Sequence, residues 1–145
     1  MKNFLLALIA VFAFVGCGGG DDAASGDKNA PSYNAVLFFD ALYNKHNLNA
    51  AIEFSTPKMA RIMRSYGTAS QFSRNLLNLQ YDEVTIEVDM TNESLREVYG
   101  DESTVNLIFT GYWQGKKIDD MRSVKMLRKK GVWYVDKIIY DPYAR

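Results

Sequence analysis

Tyr81-Asp82-Glu83-Val84-Thr85-Ile86-Glu87-Val88-Asp89-Met90 is where the chain changes period. Val84, Ile86, Val88 and Met90 fall on one face, and Glu83, Thr85, Glu87 and Asp89 on the other. Alternation with a period of two marks a half-buried strand. Before it, from Ser32, apolar residues recur at helical spacing; after it they alternate. Helices first and an antiparallel meander afterwards predict an α+β domain, its N-terminal helices packed on one face of a curved antiparallel sheet.

Upstream, Ser32 is read as an N-cap just after Pro31, ahead of Ala35, Phe38, Phe39 and Leu42 at helical spacing. Val36 and Leu37 widen the apolar surface, so this helix is expected to be covered on more than one side. Asn44 to Asn47 breaks it. A short second helix is predicted over Leu48 to Phe54, capped by Asn47 or Asn49. Thr56-Pro57 opens a third, because threonine caps and proline suits the first helical position. Met59, Ile62, Met63 and Tyr66 form its buried stripe; Lys58, Arg61 and Arg64 share a polar face; Gly67 ends it. Ser70 is expected to cap a last helical stretch carrying Phe72, Leu76 and Leu79.

Downstream, Thr91 to Glu102 reads as a connection with a short paired segment at Leu95 to Tyr99. Thr104 to Trp113 is a strand, with Val105, Leu107 and Phe109 alternating against Asn106 and Thr110. Gln114-Gly115 and Lys130-Gly131 read as turns. Lys116 to Lys129 is long for one strand, and a bend is expected near Asp119-Asp120. Val132 to Tyr140 is the last strand, with Trp133 and Val135 on one face.

Two of these stretches carry a family resemblance. Phe38-Phe39-Asp40-Ala41-Leu42 and Lys130-Gly131-Val132-Trp133-Tyr134-Val135-Asp136 are similar to segments of small bacterial lipoproteins of unknown function. Those proteins carry cystatin-like or nuclear-transport-factor-2-like domains, in which a bent sheet wraps a long helix into a cone. The resemblance spans Ser32 to Tyr140 and implies a fold and an address, not a reaction.

The N-terminus supplies the address. One lysine precedes a wholly apolar run, Phe4 to Val15, followed by Gly16 and Cys17. The run fits a signal-peptide core and falls short of the roughly 20 residues of a spanning helix. Phe14-Val15-Gly16-Cys17 resembles the lipobox of bacterial lipoproteins, departing from it at Phe14, where leucine is commonest. The resemblance implies cleavage before Cys17 and lipidation of that cysteine. Gly18 in place of aspartate implies sorting to the outer membrane in a Gram-negative cell. The domain plan is then a signal peptide over 1–16, a lipidated cysteine and flexible tether over 17–31, and one domain over 32–145. Asp21, Asp22 and Asp27 of the tether match no calcium loop and read as solvated.

Composition narrows the function. The 145 residues carry 17 basic and 17 acidic side chains, and neutrality argues against a nucleic-acid partner. The lone cysteine leaves no internal disulfide, so the core alone must hold the domain. With His46 the only histidine, no metal site or other cofactor is expected. His46 sits at a helix break with no serine or cysteine motif beside it, where a surface or capping role is favoured over catalysis. Some relatives of the cone fold move protons in hydrophobic substrates, and Asp40 with Tyr43 or Tyr112 is the nearest such set here. At 100° per residue, however, Asp40 lies about 160° from the Phe38–Leu42 stripe and reads as a surface residue. The basic stretch from Lys116 to Lys130 is expected to lie across from Glu83, Glu87 and Asp89 on a solvated face. Phe38, Phe109, Trp113, Met126 and Trp133 are candidates to line a cavity, with core packing the commoner role for such residues. The expected function is binding of an envelope protein partner or small apolar ligand, without catalysis, at a membrane held through the N-terminal lipid. The alternative is an enzyme using the cone cavity for proton transfer.

Overall fold

Helix α1, Pro31–Tyr43, is so apolar that it must be enclosed, and Phe38, Phe39, Leu42 and Tyr43 are all nearly inaccessible. The computed structural model in which it is seen describes residue 24 and residues 26–90 and 100–139. Pro31 takes the first helical position, its N–H not being needed there. The N-cap is therefore Ala30, not Ser32, and no side chain caps this end. Asp27 instead organises the approach: its carboxylate accepts from Asn29 N and its carbonyl from Ala30 N, both at 2.9 Å. Ala24, within the segment expected to be tether, is buried and belongs to the core cluster.

Asn47 caps α2, Leu48–Glu53, and Thr56 caps α3, Pro57–Tyr66, each hydroxyl or amide oxygen accepting a first-turn N–H. Gly67 ends α3 at φ 80, where a side chain is disfavoured. Because α3 stops there, Thr68 rather than Ser70 caps α4, Ala69–Phe72. The chain continues as a π-helical turn, Ser73–Leu77. A wider turn moves the next inward position from i+4 to i+5, so Phe72 and Leu77 are buried and Leu76 is only half-buried.

Four strands follow: β1, Glu83–Val88; β2, Glu102–Trp113; β3, Lys116–Lys129; and β4, Val132–Ile139. They form one curved antiparallel sheet in the order β1-β2-β3-β4. Helix α1 touches all four. Both two-residue hairpin turns, Gln114-Gly115 and Lys130-Gly131, have positive φ at each residue, which suits the twist of the joined strands. The segment Leu95 to Tyr99 lies outside the described residues.

Strand β3 runs without the bend expected at Asp119-Asp120. The irregularity falls later: Lys125 faces Lys137 and Met126 faces Val135, so Asp136 is the extra residue of a β-bulge. This changes the phase of burial in β4. Trp133 and Val135 point inward two apart, and Ile138 follows three later. Beside the bulge, Thr56 N donates to Val135 O at 2.9 Å and Val135 N to Phe54 O at 2.8 Å, covering part of this edge strand.

One glycine is required by close approach. A Cβ on Gly111 would collide with Glu83 O and sit 2.7 Å from Tyr81 Cδ1. The space is taken by the Tyr81 ring, which also stacks on Phe109.

Candidate functional site

The end of α1 is tied to β1 by one side chain. Asn44 Nδ2 donates to Val84 O at 3.0 Å while Val84 N donates to Asn44 Oδ1 at 3.2 Å, as a backbone amide would. This pins the break after α1, where His46 takes φ 48 and borders the same cleft as Tyr81. The cleft, of about 180 Å³, opens between these elements. Leu42 and Tyr43 of α1, with His46, form one wall. Ser70 and Ser73 of the short helical stretch form a second. Gln80, Tyr81 and Asp82, entering β1, and Trp113, ending β2, complete it. Asp82 fixes that last corner: its N–H donates to Tyr112 O at 2.8 Å and its carboxylate accepts from Gln114 N at 2.9 Å.

Beneath the cleft the rings of Tyr43 and Tyr81 meet edge to face at 5.3 Å, and both approach Phe109. The Tyr43 hydroxyl donates to Leu79 O at 3.2 Å. Ser73 Oγ lies beside it, but no hydrogen bond of acceptable geometry joins them, and Ser73 Oγ is buried without a partner. Tyr81 Oη is also buried and unpartnered. Burial raises the hydroxyl pKa of both tyrosines well above the ordinary value. Neighbouring acids raise each further, Tyr81 and Asp120 for Tyr43 and Asp120 and Asp119 for Tyr81, with Arg122 opposing. Both therefore stay neutral at neutral pH.

The charges behind them come from β3. Arg122 Nη2 meets Asp120 Oδ2 at 2.8 Å, with the side chains 10% and 20% exposed. The other carboxylate oxygen of Asp120 accepts from Met121 N at 2.7 Å. Arg122 Nε has no partner. Asp120 and Arg122 stand opposite Phe109 and Leu107 in the register, and so share the inner face of the sheet.

Several sequence expectations are corrected. Asp40 is not a surface residue; it is 5% exposed, accepts from Asn44 Nδ2 at 2.8 Å and meets Lys45 Nζ at 3.1 Å. Enclosure of α1 on all sides removes the solvated face assumed for it. Tyr112 is exposed on the outer face and does not join Asp40. The basic stretch does not face Glu83 and Glu87, because β1 pairs with β2 alone. Its partners are Asp119 for Lys117, Glu102 for Lys125 and Asp101 for Arg128, while Arg122 turns inward.

Of the five residues weighed as cavity lining, Phe38, Phe109, Met126 and Trp133 lie in the core cluster. Trp133 is closed over by the guanidinium of Arg128, 5.2 Å from the ring centre. Trp113 is the one that borders the cleft. Sequence reading did not weigh Tyr81 or Ser73, and it assigned Asp120 to a bend and Arg122 to a solvated basic face, whereas the two pair on the inner face of the sheet. For Asp120 and Arg122 the signal was present: they share parity with Val124 and Met126. Cys17 lies outside the described residues, among which no helix is long and apolar enough to cross a membrane. A second, apolar groove of about 250 Å³ lies between α3 and β4, where Met59, Ile62, Leu76 and Ile138 meet.

No protein-family model, no curated protein and no solved structure matches this chain.

Proposed function

We propose that this is a lipid-anchored envelope protein whose single domain, a cone of the cystatin-like or nuclear-transport-factor-2-like kind, binds a small molecule without transforming it. Cys17 carries the lipid. The observation that carries the binding reading is the cleft lined by His46, Tyr81, Trp113 and their neighbours, with the neutral tyrosines Tyr43 and Tyr81 among its walls. Proton transfer would need a base with a free lone pair beside those tyrosines. Asp120, tied to Arg122 and to Met121 N, does not line the cleft, which favours binding over catalysis. The apolar groove beside β4 supports a second reading, docking of an envelope partner along that edge.

Two experiments test this. Cys17→Ser should release the protein from the membrane fraction and leave a longer precursor; unchanged fractionation with normal processing would remove the anchor. Native mass spectrometry of the protein extracted from its membrane should show a small molecule retained in the wild type. Loss of that mass in Trp113→Ala would tie it to the cleft, and retention would move the site elsewhere.

A further inference from the structure

We propose that the cleft takes a small organic cation, a primary amine in its ammonium form, with the charged head held between the Asp82 carboxylate and the indole of Trp113. The proposal rests on the binding reading above and names the class of ligand.

The backbone brings these two groups together. Asp82 N donates to Tyr112 O at 2.8 Å, and Asp82 Oδ2 accepts from Gln114 N at 2.9 Å. The aspartate is thus fastened to both chain neighbours of Trp113. The Gln114 amide orients the carboxylate but leaves its charge unmatched. No lysine or arginine among the described residues lies in ion-pair range of Asp82.

The lining sets the sign of the ligand's charge. Among the described residues around the cleft, Asp82 is the one carboxylate, and none is a lysine or arginine. His46 in its neutral form presents a lone pair. Lys116 stands opposite Trp113 across the hairpin but does not line the cleft. An anion would therefore face Asp82 with no cation to meet it. Behind the wall, the field at Tyr81 has the same sign: Asp120 outweighs Arg122 there, and Asp119 adds to it. At Tyr43, on the α1 side, Arg122 outweighs Asp120 instead. The ammonium head accordingly belongs at the end formed by Tyr81, Asp82 and Trp113.

The same residues favour an organic cation over a metal ion. A divalent ion takes several ligands, and among the described residues no group of three His, Cys, Asp or Glu side chains could hold one. An exposed carboxylate alone binds an ammonium weakly. Trp113, half-buried, keeps indole surface open to the cleft, and tryptophan is the best aromatic partner for a cation. Gln80 and Ser70 add neutral oxygens for the remaining N–H groups. Leu42 and the tyrosine rings give an apolar wall for a short alkyl tail.

The test uses the full lipidated chain in phosphatidylcholine nanodiscs at neutral pH, with empty nanodiscs as the blank. Ligand-observed NMR follows n-butylamine, tetramethylammonium and butyrate as separate probes. Butylamine should bind saturably and butyrate should not. Tetramethylammonium carries the charge without an N–H and should bind more weakly than butylamine. Asp82→Asn, which keeps an oxygen for Gln114 N and removes the charge, should weaken butylamine about two- to fivefold. Trp113→Ala should weaken it about as much and serves as the second variant should the first fold poorly. Butyrate binding as well as butylamine would overturn the cation assignment. Tetramethylammonium matching butylamine would overturn the N–H-bearing head. Absence of saturable butylamine binding would overturn the amine class. Butylamine binding left unchanged by either folded variant would overturn the placement of the head. In each failing case, a mass retained by the membrane-extracted protein and lost in Trp113→Ala would leave the binding reading itself standing.

Discussion

Thr56 and Asp136, eighty residues apart, are joined by a 2.9 Å hydrogen bond from the threonine hydroxyl to the carboxylate of the bulged residue in β4. The same hydroxyl accepts from Met59 N at 3.3 Å and so caps α3. One oxygen thus starts a helix and fastens it to the edge strand, and the bulge exists where this carboxylate must turn towards α3.

Thr56→Ala should therefore cost more than a cap. Loss of an N-cap side chain costs about 1 kcal/mol, and Asp136, largely buried, would keep only the distant Lys58 at 3.9 Å. The exposed cap Thr68, bonded only to Gln71 N at 3.1 Å, is the control. Urea unfolding should show Thr56→Ala losing at least about 2 kcal/mol and Thr68→Ala about 1 kcal/mol or less. Equal losses would mean that the Asp136 link contributes nothing.

Trp133→Ala should come close to unfolding the domain. The ring is 3% exposed within the core cluster, and truncating a buried aromatic costs about 3–5 kcal/mol, out of about 5–15 kcal/mol for a whole domain. Lys130→Ala, in the exposed turn, should barely register, and Trp113→Ala should fall between. Arg128→Ala should cost about 0.5–1 kcal/mol through its loss from the Trp133 face. Thermal melting of the four variants gives the order.

Alkaline pH should expose Tyr43 and Tyr81. An unfolded tyrosine ionises near pH 10, whereas burial holds both of these well above that value. Their contribution is complete below about pH 10 and is lost as pH rises beyond it, because only the unfolded chain then sheds these protons. The loss is about 1.4 kcal/mol per pH unit for each group. Phenolate absorbance should show two tyrosines that titrate only together with loss of the fold. Smooth titration of all nine while the domain remains folded would contradict the burial of this pair.

What could be read ahead of the structure was local. The Asn47 and Thr56 caps, the Gly67 stop, both hairpin turns and the inward set Val105, Leu107 and Phe109 follow from near-neighbour spacing and from one residue's own chemistry. What escaped depends on partners distant in sequence. Asp40 is buried because α1 is enclosed all round, which no spacing within α1 reveals. Asp136 is the bulged residue of β4 and bonds Thr56, a partner that no spacing within β4 reveals. Asp120 and Arg122 have inward parity, but charge argued for solvent until the two were seen to neutralise each other. The cleft is harder still, since its walls come from α1, the π-turn region, the approach to β1 and the end of β2.

Gly111→Ala should destabilise without any change in charge or exposure. Its Cβ would strike the backbone oxygen of Glu83 in the paired strand as well as the Tyr81 ring. Overpacking of this kind costs about 1–3 kcal/mol. Trimming Tyr81 to alanine in the same chain should not rescue it, because Glu83 O belongs to the ladder and cannot move aside. Rescue in denaturant unfolding would show that the ring alone occupies the space.

The pair Asp120–Arg122 allows the cleft and the fold to be separated. Removing one member of a buried pair leaves the other uncompensated and costs about 3–5 kcal/mol, while replacing both with apolar residues of similar volume is often neutral or stabilising. Arg122→Met alone should be strongly destabilising, since it strips Asp120 of its counter-charge at 2.8 Å. Asp120→Leu with Arg122→Met should recover most of that loss, because the flanking inward positions Val124, Leu107 and Phe109 are already apolar. Stability alone then gives no reason for a charged pair on the inner face. Its opposed charges act on Tyr43 and Tyr81, both of which line the cleft, without adding net charge. The double variant should accordingly keep its melting temperature within a few degrees, and should no longer retain a small molecule if the wild type retains one as proposed. A double variant as unstable as Arg122→Met alone would instead make the pair a structural requirement of the sheet.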